Sequence, residues 1–314
     1  MKRNILTGIR TTGYIQLGNY IGALEPYIRF MEENPSYRGY VLLADYHSIS
    51  SVMDPRKLMD YRQHMAAAAM SFCPSSKIFF QSDIPELHEL AWILGSRTTI
   101  GELQRCHTYK ASSMQCRMSL NLFSYPVLMA ADVIGLNADV VSVGVDQAQH
   151  IEMACHLARK FKLKSPKALI ASDKTLIGLD GRKMSKSYEN TIPIFASEND
   201  IYKLVMKIPT TSQKIDEKKN SEDCTIFSLY SSIASNAEVK EMQDLYDQGI
   251  GWKLAKERLY IRFMRKFEIE RANYSLYSKD LCEMDLSLKR QAQSVREEVK
   301  LLLEVIKKDL GLIS

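Results

Sequence analysis

Four stretches of this chain hold residue types that could do chemistry. Lys183-Met184-Ser185-Lys186-Ser187 follows Gly181-Arg182. Two lysines and two serines on such a loop can wrap a triphosphate, their ammonium groups neutralising charge on the β- and γ-phosphates as pyrophosphate leaves. Read without its order, the same pentapeptide is a solvated basic loop. A Gly-rich stretch from Thr7 to Gly22 follows a strand-like run and opens a helix-like one. Glycines there let the backbone approach a ligand, and a helix N-terminus favours an anion. The stretch is neither the dinucleotide glycine fingerprint nor the Walker lysine loop, and alone it is equally a βα turn that binds nothing. Asp132 interrupts the apolar run from Pro126 to Leu136. Burying a carboxylate there costs several kcal/mol unless it is paired or hydrogen-bonded, so Asp132 is either a ligand-binding group or an acid with a structural partner. Gly144-Val145-Asp146-Gln147 sits where a strand passes into a helix, which suits ribose hydroxyls and also suits an ordinary helix cap.

The elements that must position these groups alternate along the first part of the chain. Asn4–Ile9, Gly39–Ala44, Lys77–Gln81 and Asp139–Val143 read as strands, the second a continuous apolar run of the kind buried in a parallel sheet. Tyr20–Phe30, Arg56–Ser71, Pro85–Leu94 and Gln147–Phe161 have helical spacing. Such alternation predicts βαβ units and an α/β fold with a parallel sheet. After about Ile194 strand-like runs disappear, and Glu198–Met206, Cys224–Ile233, Glu238–Tyr246, Gly251–Arg271 and Asp285–Lys308 read as amphipathic helices. The expected organisation is a sheet domain over 1–190, a smaller all-helical C-terminal domain over 191–284, and a last helix over 285–314 that packs back on the first domain.

Lys183–Ser187 spells the KMSKS signature of class I aminoacyl-tRNA synthetases, and Gln16-Leu17-Gly18-Asn19 stands where that class carries its HIGH signature. The segments Gly18–Leu24, Ile100-Gly101-Glu102-Leu103, Tyr125–Val133 and Val143–Glu152 resemble the bacterial tryptophanyl-tRNA synthetases. The resemblance is ordered from about Leu6 to Asn190 and weaker beyond, where Gly249–Lys253 is still similar. It implies a Rossmann-like catalytic domain and a two-step reaction. Tryptophan and ATP give tryptophanyl-adenylate and pyrophosphate; the tryptophanyl group then passes to the terminal ribose of tRNA(Trp). It also implies magnesium carried with ATP, a homodimer and no resident metal.

Residue by residue, the resemblance assigns catalysis to Gln16, Asn19, Lys183 and Lys186. ATP contacts fall to Arg10, Thr11, Thr12, Gly18, Asn19, Gly144, Val145, Asp146 and Leu176, with Lys183, Met184, Ser185, Lys186 and Ser187. Leu6, Met129, Val141 and Val143 would form the indole pocket, and each could equally be plain core. Asp132 would accept the indole N–H, a bond that lets a site reject analogues lacking the donor. Tyr125 and Gln147 would hold the ammonium and carboxylate. Because the tryptophan carboxylate is itself the nucleophile, positioning and electrostatics suffice, and no general base is needed.

Three positions depart from the family pattern: Arg10-Thr11-Thr12 lacks the usual proline, Gln16 replaces a His or Thr, and Val145 replaces an acid. The expectation is altered kinetic constants or inhibitor sensitivity in a working enzyme. Two basic regions could face tRNA: Arg159 to Lys167, and the helix with Lys253, Lys256, Arg258, Arg262, Arg265 and Lys266. Glu257, Glu268 and Glu270 interleave the second, so a solvated face accounts for it equally. Tyrosine–tRNA ligase is the alternative within the same chemistry, and a tryptophan-sensing paralogue without ligase activity is the alternative outside it.

Composition agrees with this class and excludes others. The chain has 314 residues, of which 46% are hydrophobic and 25% charged, an ordinary globular balance that rules out a disordered tail, a collagen-like repeat or a disulfide-rich scaffold. The formal charge of +5 lies within the first 190 residues and suits a polyanionic partner. The most apolar run is too short to span a membrane, and Met1-Lys2-Arg3 is not followed by a secretory apolar run, so the expectation is a cytoplasmic protein that contacts no membrane and no DNA. The six cysteines form no Cys-x-x-Cys pair, and His150, Glu152, Cys155 and His156 have no standard zinc spacing.

Overall fold

Five short strands pair in parallel in the order β3-β2-β1-β4-β5. They are β1 (Asn4–Arg10), β2 (Arg38–Ala44), β3 (Lys77–Phe80), β4 (Val140–Val143) and β5 (Lys167–Ile170). The computed structural model describes residues 2–106, 119–170, 176–185 and 188–314. The helices between the strands are α1 (Glu25–Glu33), α2 (Pro55–Phe72), α3 (Glu86–Gly95), α4 (Ile100–Gln104), α5 (Leu120–Gly135) and α6 (Ala148–Lys160). Every residue of β2 from Gly39 to Ala44 is buried, which explains its unbroken apolar run: helices cover both faces of a parallel sheet. On one face Leu6, Tyr40, Leu42, Phe79, Val141 and Val143 share a core with α3, α5 and α6.

By contacts the chain divides into two compact units. The first is Met1–Tyr14, Gly22–Ala171 and Leu276–Ser314; the second is Ile15–Ile21 and Ser172–Ser275. The second unit holds α7 (Glu198–Met206), α8 (Thr225–Ser231), α9 (Asn236–Asp247) and α10 (Trp252–Lys266), while α11 (Glu268–Lys279) crosses the division. α10 packs against both α7 and α8, burying Ala255, Leu259 and Phe263. Ser197 and Ser235 cap α7 and α9 by accepting from Asp200 N and Glu238 N. The first-signature segment belongs to this unit: Leu17 N donates to Ile192 O at 3.0 Å and Ile194 N to Ile15 O at 3.2 Å.

The last helix, α12 (Leu281–Asp309), joins the core of the sheet unit through Ala292, Val295, Val299, Leu303 and Ile306. It is pinned by polar contacts as well. Tyr40 Oη and Lys77 Nζ donate to Glu298 at 2.7 and 2.9 Å, and Arg296 Nε donates to Glu86 at 2.8 Å.

The short helix α4 had no place among the expected elements, and three others differ from expectation. β5 was not foreseen; it is a four-residue edge strand with Lys167, Ala168 and Ile170 exposed, so it lacks the apolar signature of its neighbours. The span Gly251–Arg271 is two helices. The chain turns at Phe267, whose wholly buried ring meets Phe263 and Tyr20 edge-on at 5.0 and 4.9 Å. The final helix starts at Leu281 because Asp280 caps it, accepting from Glu283 N. Among the described residues no helix is long and apolar enough to cross a membrane.

Candidate active site

The strand order reverses between β1 and β4, and in open parallel sheets the crevice at such a switch, beyond the strands' carboxyl ends, is where ligands bind. Of the residues expected to meet the indole, Leu6, Val141 and Val143 lie on these two strands and are buried in the core. Leu6 on β1 is in register with Val141 on β4, and Val143 is two residues further along the same face. Two residues beyond Leu6 comes Gly8, which is exposed, and a Cβ built on it would meet nothing within 4 Å. Glycine inside a strand marks a close approach of another group; here it leaves open space above the sheet.

α5 supplies Tyr125, Met129 and Asp132, spaced four and three residues apart and so on one face of the helix. Asp132 is 3% exposed. Its two oxygens accept from Gln81 Nε2 at 2.8 and 2.9 Å, and Oδ2 lies 3.1 Å from His47 Nε2. Gln81 and His47 follow the carboxyl ends of β3 and β2. Half-buried His88 lies near this pair, and burial pulls its pKa below the ordinary value against the raising effect of Asp132.

A second polar chain runs from α5 into the loop after β4. Tyr125 Oη lies 2.6 Å from His150 Nε2, His150 Nδ1 lies 3.0 Å from Gln147 Oε1, and Gln147 Nε2 donates to Asp146 Oδ2 at 2.6 Å. An amide oxygen only accepts, so in the neutral imidazole Nδ1 carries the proton and Nε2 accepts from the tyrosine. Every donor then points the same way, from Tyr125 to Asp146. Gln147 has a second amide N–H besides the one given to Asp146.

Among the expected ATP contacts in this unit, Arg10 and Val145 are exposed, Thr12 is half-buried, and Asp146 is exposed beside Gly144. Thr11 is wholly buried and its Oγ1 donates to Ser48 Oγ at 3.0 Å, which commits that hydroxyl inside the protein.

The second unit brings the two signature segments together. A Cβ built on Gly18 would stand 3.3 Å from Met184 Sδ, so the first signature lies directly against the KMSKS segment. Asn19 Oδ1 accepts from Gln16 N at 3.2 Å. The KMSKS segment is shaped by pairing with the chain just before it: Ile177 bridges Lys183 antiparallel, and Met184 N donates to Leu176 O at 2.8 Å. Asn190 holds the other side, accepting from Ser185 N at 2.8 Å and donating to Asp180 Oδ1 at 2.7 Å and Lys183 O at 3.1 Å. The Asn190 amide, with Arg182, holds the Asp180 carboxyl down at about 2. Lys183 is exposed; Lys186 and Ser187 lie outside the described residues.

His47, Gln81, His150 and Asn190 escaped the sequence reading. The first two had a usable signal, a polar residue just past a strand's carboxyl end. The expected tRNA-facing charge is also more engaged than its sequence suggests. Lys160 donates to Glu102 and to Arg97 O, both at 2.7 Å, and Lys164 to Asn137 O at 2.8 Å. In α10, Lys256 donates to Met206 O at 2.9 Å, Arg262 pairs with Glu238 at 3.0 Å, and Lys266 lies over the Tyr20 ring. Arg159, Lys162, Lys167, Lys253 and Arg265 remain exposed.

Known proteins resemble this chain along its whole length. The family profile described as tRNA synthetases class I (W and Y) matches residues 2–268. A tryptophan–tRNA ligase of Neisseria meningitidis is 35% identical over 99% of this chain and 98% of its own length. One from Pseudomonas putida is 37% identical over 100% of this chain and 75% of its own length. Among solved structures, tryptophanyl-tRNA synthetase from Campylobacter jejuni complexed with ADP and tryptophan superposes with a TM-score of 0.89 at 32% identity, covering 98% of this chain and 99% of that one.

Proposed function

Because the chain belongs to the class I tRNA synthetases of the tryptophan and tyrosine family, we propose that it activates L-tryptophan with ATP and transfers it to tRNA(Trp). A carboxylate oxygen of tryptophan attacks the α-phosphorus, the bond from that phosphorus to the bridging oxygen of the β-phosphate breaks, and pyrophosphate leaves. A hydroxyl of the terminal tRNA ribose then displaces AMP from the adenylate. The observation that carries the reading is Asp132: a 3% exposed carboxylate on the same helix face as Tyr125 and Met129, in a unit whose β1 and β4 offer Leu6, Val141 and Val143.

In this reading Asp132 accepts the indole N–H. By family resemblance Tyr125 and Gln147 hold the ammonium and carboxylate groups of tryptophan. Gly144 and Asp146 take the ribose, with Val145, Arg10, Thr12 and Leu176 beside the nucleotide. Gln16, Gly18 and Asn19 approach its phosphates. Lys183 and Lys186, with Met184, Ser185 and Ser187, neutralise the leaving pyrophosphate. Thr11 acts through the shape it gives its loop, because its hydroxyl is committed to Ser48. In the same reading a magnesium ion arrives with ATP, bound chiefly by phosphate oxygens, and would draw charge from the phosphates.

The same reading gives residues 1–190 the catalytic role and 191–284 anticodon recognition, with 285–314 closing the catalytic domain. It makes the working protein a cytoplasmic homodimer. Aminoacylation of tRNA(Trp) tests it: tryptophan is charged and tyrosine is not. Charging of tRNA(Tyr) with tyrosine would overturn the specificity, and tryptophan binding without charging would make the protein a sensor.

A further inference from the structure

We propose that Gln81 is a positioning residue for indole recognition: it holds the Asp132 carboxylate in the one orientation that can accept an N–H, and so sets the discrimination between tryptophan and isosteres without that donor. The inference rests on Asp132 being the indole acceptor, as read above.

Gln81 follows the carboxyl end of β3 and is 0% exposed. One amide nitrogen spans both oxygens of Asp132, at 2.8 and 2.9 Å. A carboxylate only accepts, so the amide must turn its nitrogen to Asp132 and its oxygen away. That oxygen is buried and finds no hydrogen-bond partner among the described residues. A buried carbonyl oxygen without a donor is destabilising; an apolar side chain of the same length would occupy the place without that loss. The carboxamide therefore has one use in this structure, which is to hold Asp132.

Its effect on the acceptor is geometric. A carboxylate offers about four lone-pair directions. Gln81 takes two and His47 a third, at 3.1 Å, which leaves one for a ligand. Contact to both oxygens fixes the rotation of the carboxylate plane as well as its position. A group that can rotate freely gives up discrimination, because specificity for a donor depends on an acceptor that cannot relax elsewhere. Gln81 and Asp132 come from different elements, so the pairing ties α5 to the end of β3 at the place where the indole N–H must arrive.

The test is ATP–pyrophosphate exchange with tryptophan and with 3-(benzothiophen-3-yl)alanine, in which sulfur replaces the N–H. In the Gln81→Met variant the ratio of the two kcat/KM values falls by about tenfold or more. The change comes through the tryptophan KM, with kcat and the KM for ATP held within about twofold. A ratio within about twofold of the unchanged protein overturns the inference. Should Gln81→Met not fold, Gln81→Asn keeps the amide one methylene shorter, and the same loss of ratio is expected and the same retention overturns it. Asp132→Ala, which leaves no acceptor, separates the two readings. If it keeps tryptophan exchange and the ratio, the indole-acceptor reading fails and this inference with it; if it loses the ratio, or tryptophan exchange altogether, while the Gln81 variants keep the ratio, only the role of Gln81 is overturned.

Discussion

At the scale of residues, the polar groups proposed to meet tryptophan are joined in two hydrogen-bonded sets, Gln81 and His47 on Asp132 and Tyr125 with His150 and Gln147. Tyr125 gives its proton to His150, which gives its own to Gln147. Tyr125→Phe removes the hydroxyl proposed to meet the ammonium group and strands the imidazole nitrogen; a hydrogen bond to a charged group contributes about 1.5–3 kcal/mol. We expect the tryptophan KM in exchange to rise about ten- to a hundredfold, with kcat changed far less, and an unchanged KM would remove Tyr125 from the ammonium site. The roles proposed for Asp132, Tyr125 and Gln147 come from the sequence, where each is a polar residue inside a recognisable string. Gln81, His47 and His150 were not legible there. Their meaning comes from what they touch, and Gln81 and Asp132 are 51 positions apart.

At the scale of elements, the signature loop is held by its neighbours. Gly18 packs closely on Met184: a Cβ there would stand 3.3 Å from its sulfur. Gly18→Val would push Met184 out of place and with it the backbone of Lys183, so kcat for exchange should fall by more than about tenfold with the tryptophan KM nearly unchanged. Equal effects on both would mean general disruption. Asp180 gives the same loop a pH signature. Its carboxyl is held at about 2 against an ordinary 3.8, by Asn190 first and then Arg182. A depressed carboxyl contributes stability that is present above 3.8 and lost as pH falls toward about 2. Urea midpoints should therefore drop over that window, and Asp180→Asn should remove part of the drop; a variant with the same acid profile as the parent would contradict this. The strands and most helices were legible from apolar runs and helical spacing. β5 was not, because an exposed edge strand has no buried face to display. The turn at Phe267 was not either, since the apolar spacing of α10 continues through it and only the burial of its ring marks the break.

At the scale of the whole molecule, the two ends of the chain meet in one core. α12 buries Val295, Val299 and Leu303 against the sheet unit. Leu303→Ala should lower stability by about 2–5 kcal/mol, read from denaturant midpoints, while leaving tryptophan KM unchanged in the folded fraction. A small loss would show that the C-terminal helix is an accessory. The contacts also group Ile15–Ile21 with 172–275, so the first signature stands with the second in the same compact unit. Sequence order alone places the first signature with β1, because only five residues separate Arg10, the last of that strand, from Gln16; the pairing of Leu17 with Ile192 exists only in the folded chain.

The central claim is that this chain makes tryptophanyl-adenylate at a site built on Asp132. ATP–pyrophosphate exchange across all twenty amino acids, without tRNA, tests it most directly. Exchange with tryptophan alone, lost in Asp132→Ala and in Lys183→Ala while both variants stay folded, is the predicted result. Exchange with tyrosine, or tryptophan-dependent exchange that survives Asp132→Ala unchanged, would contradict it.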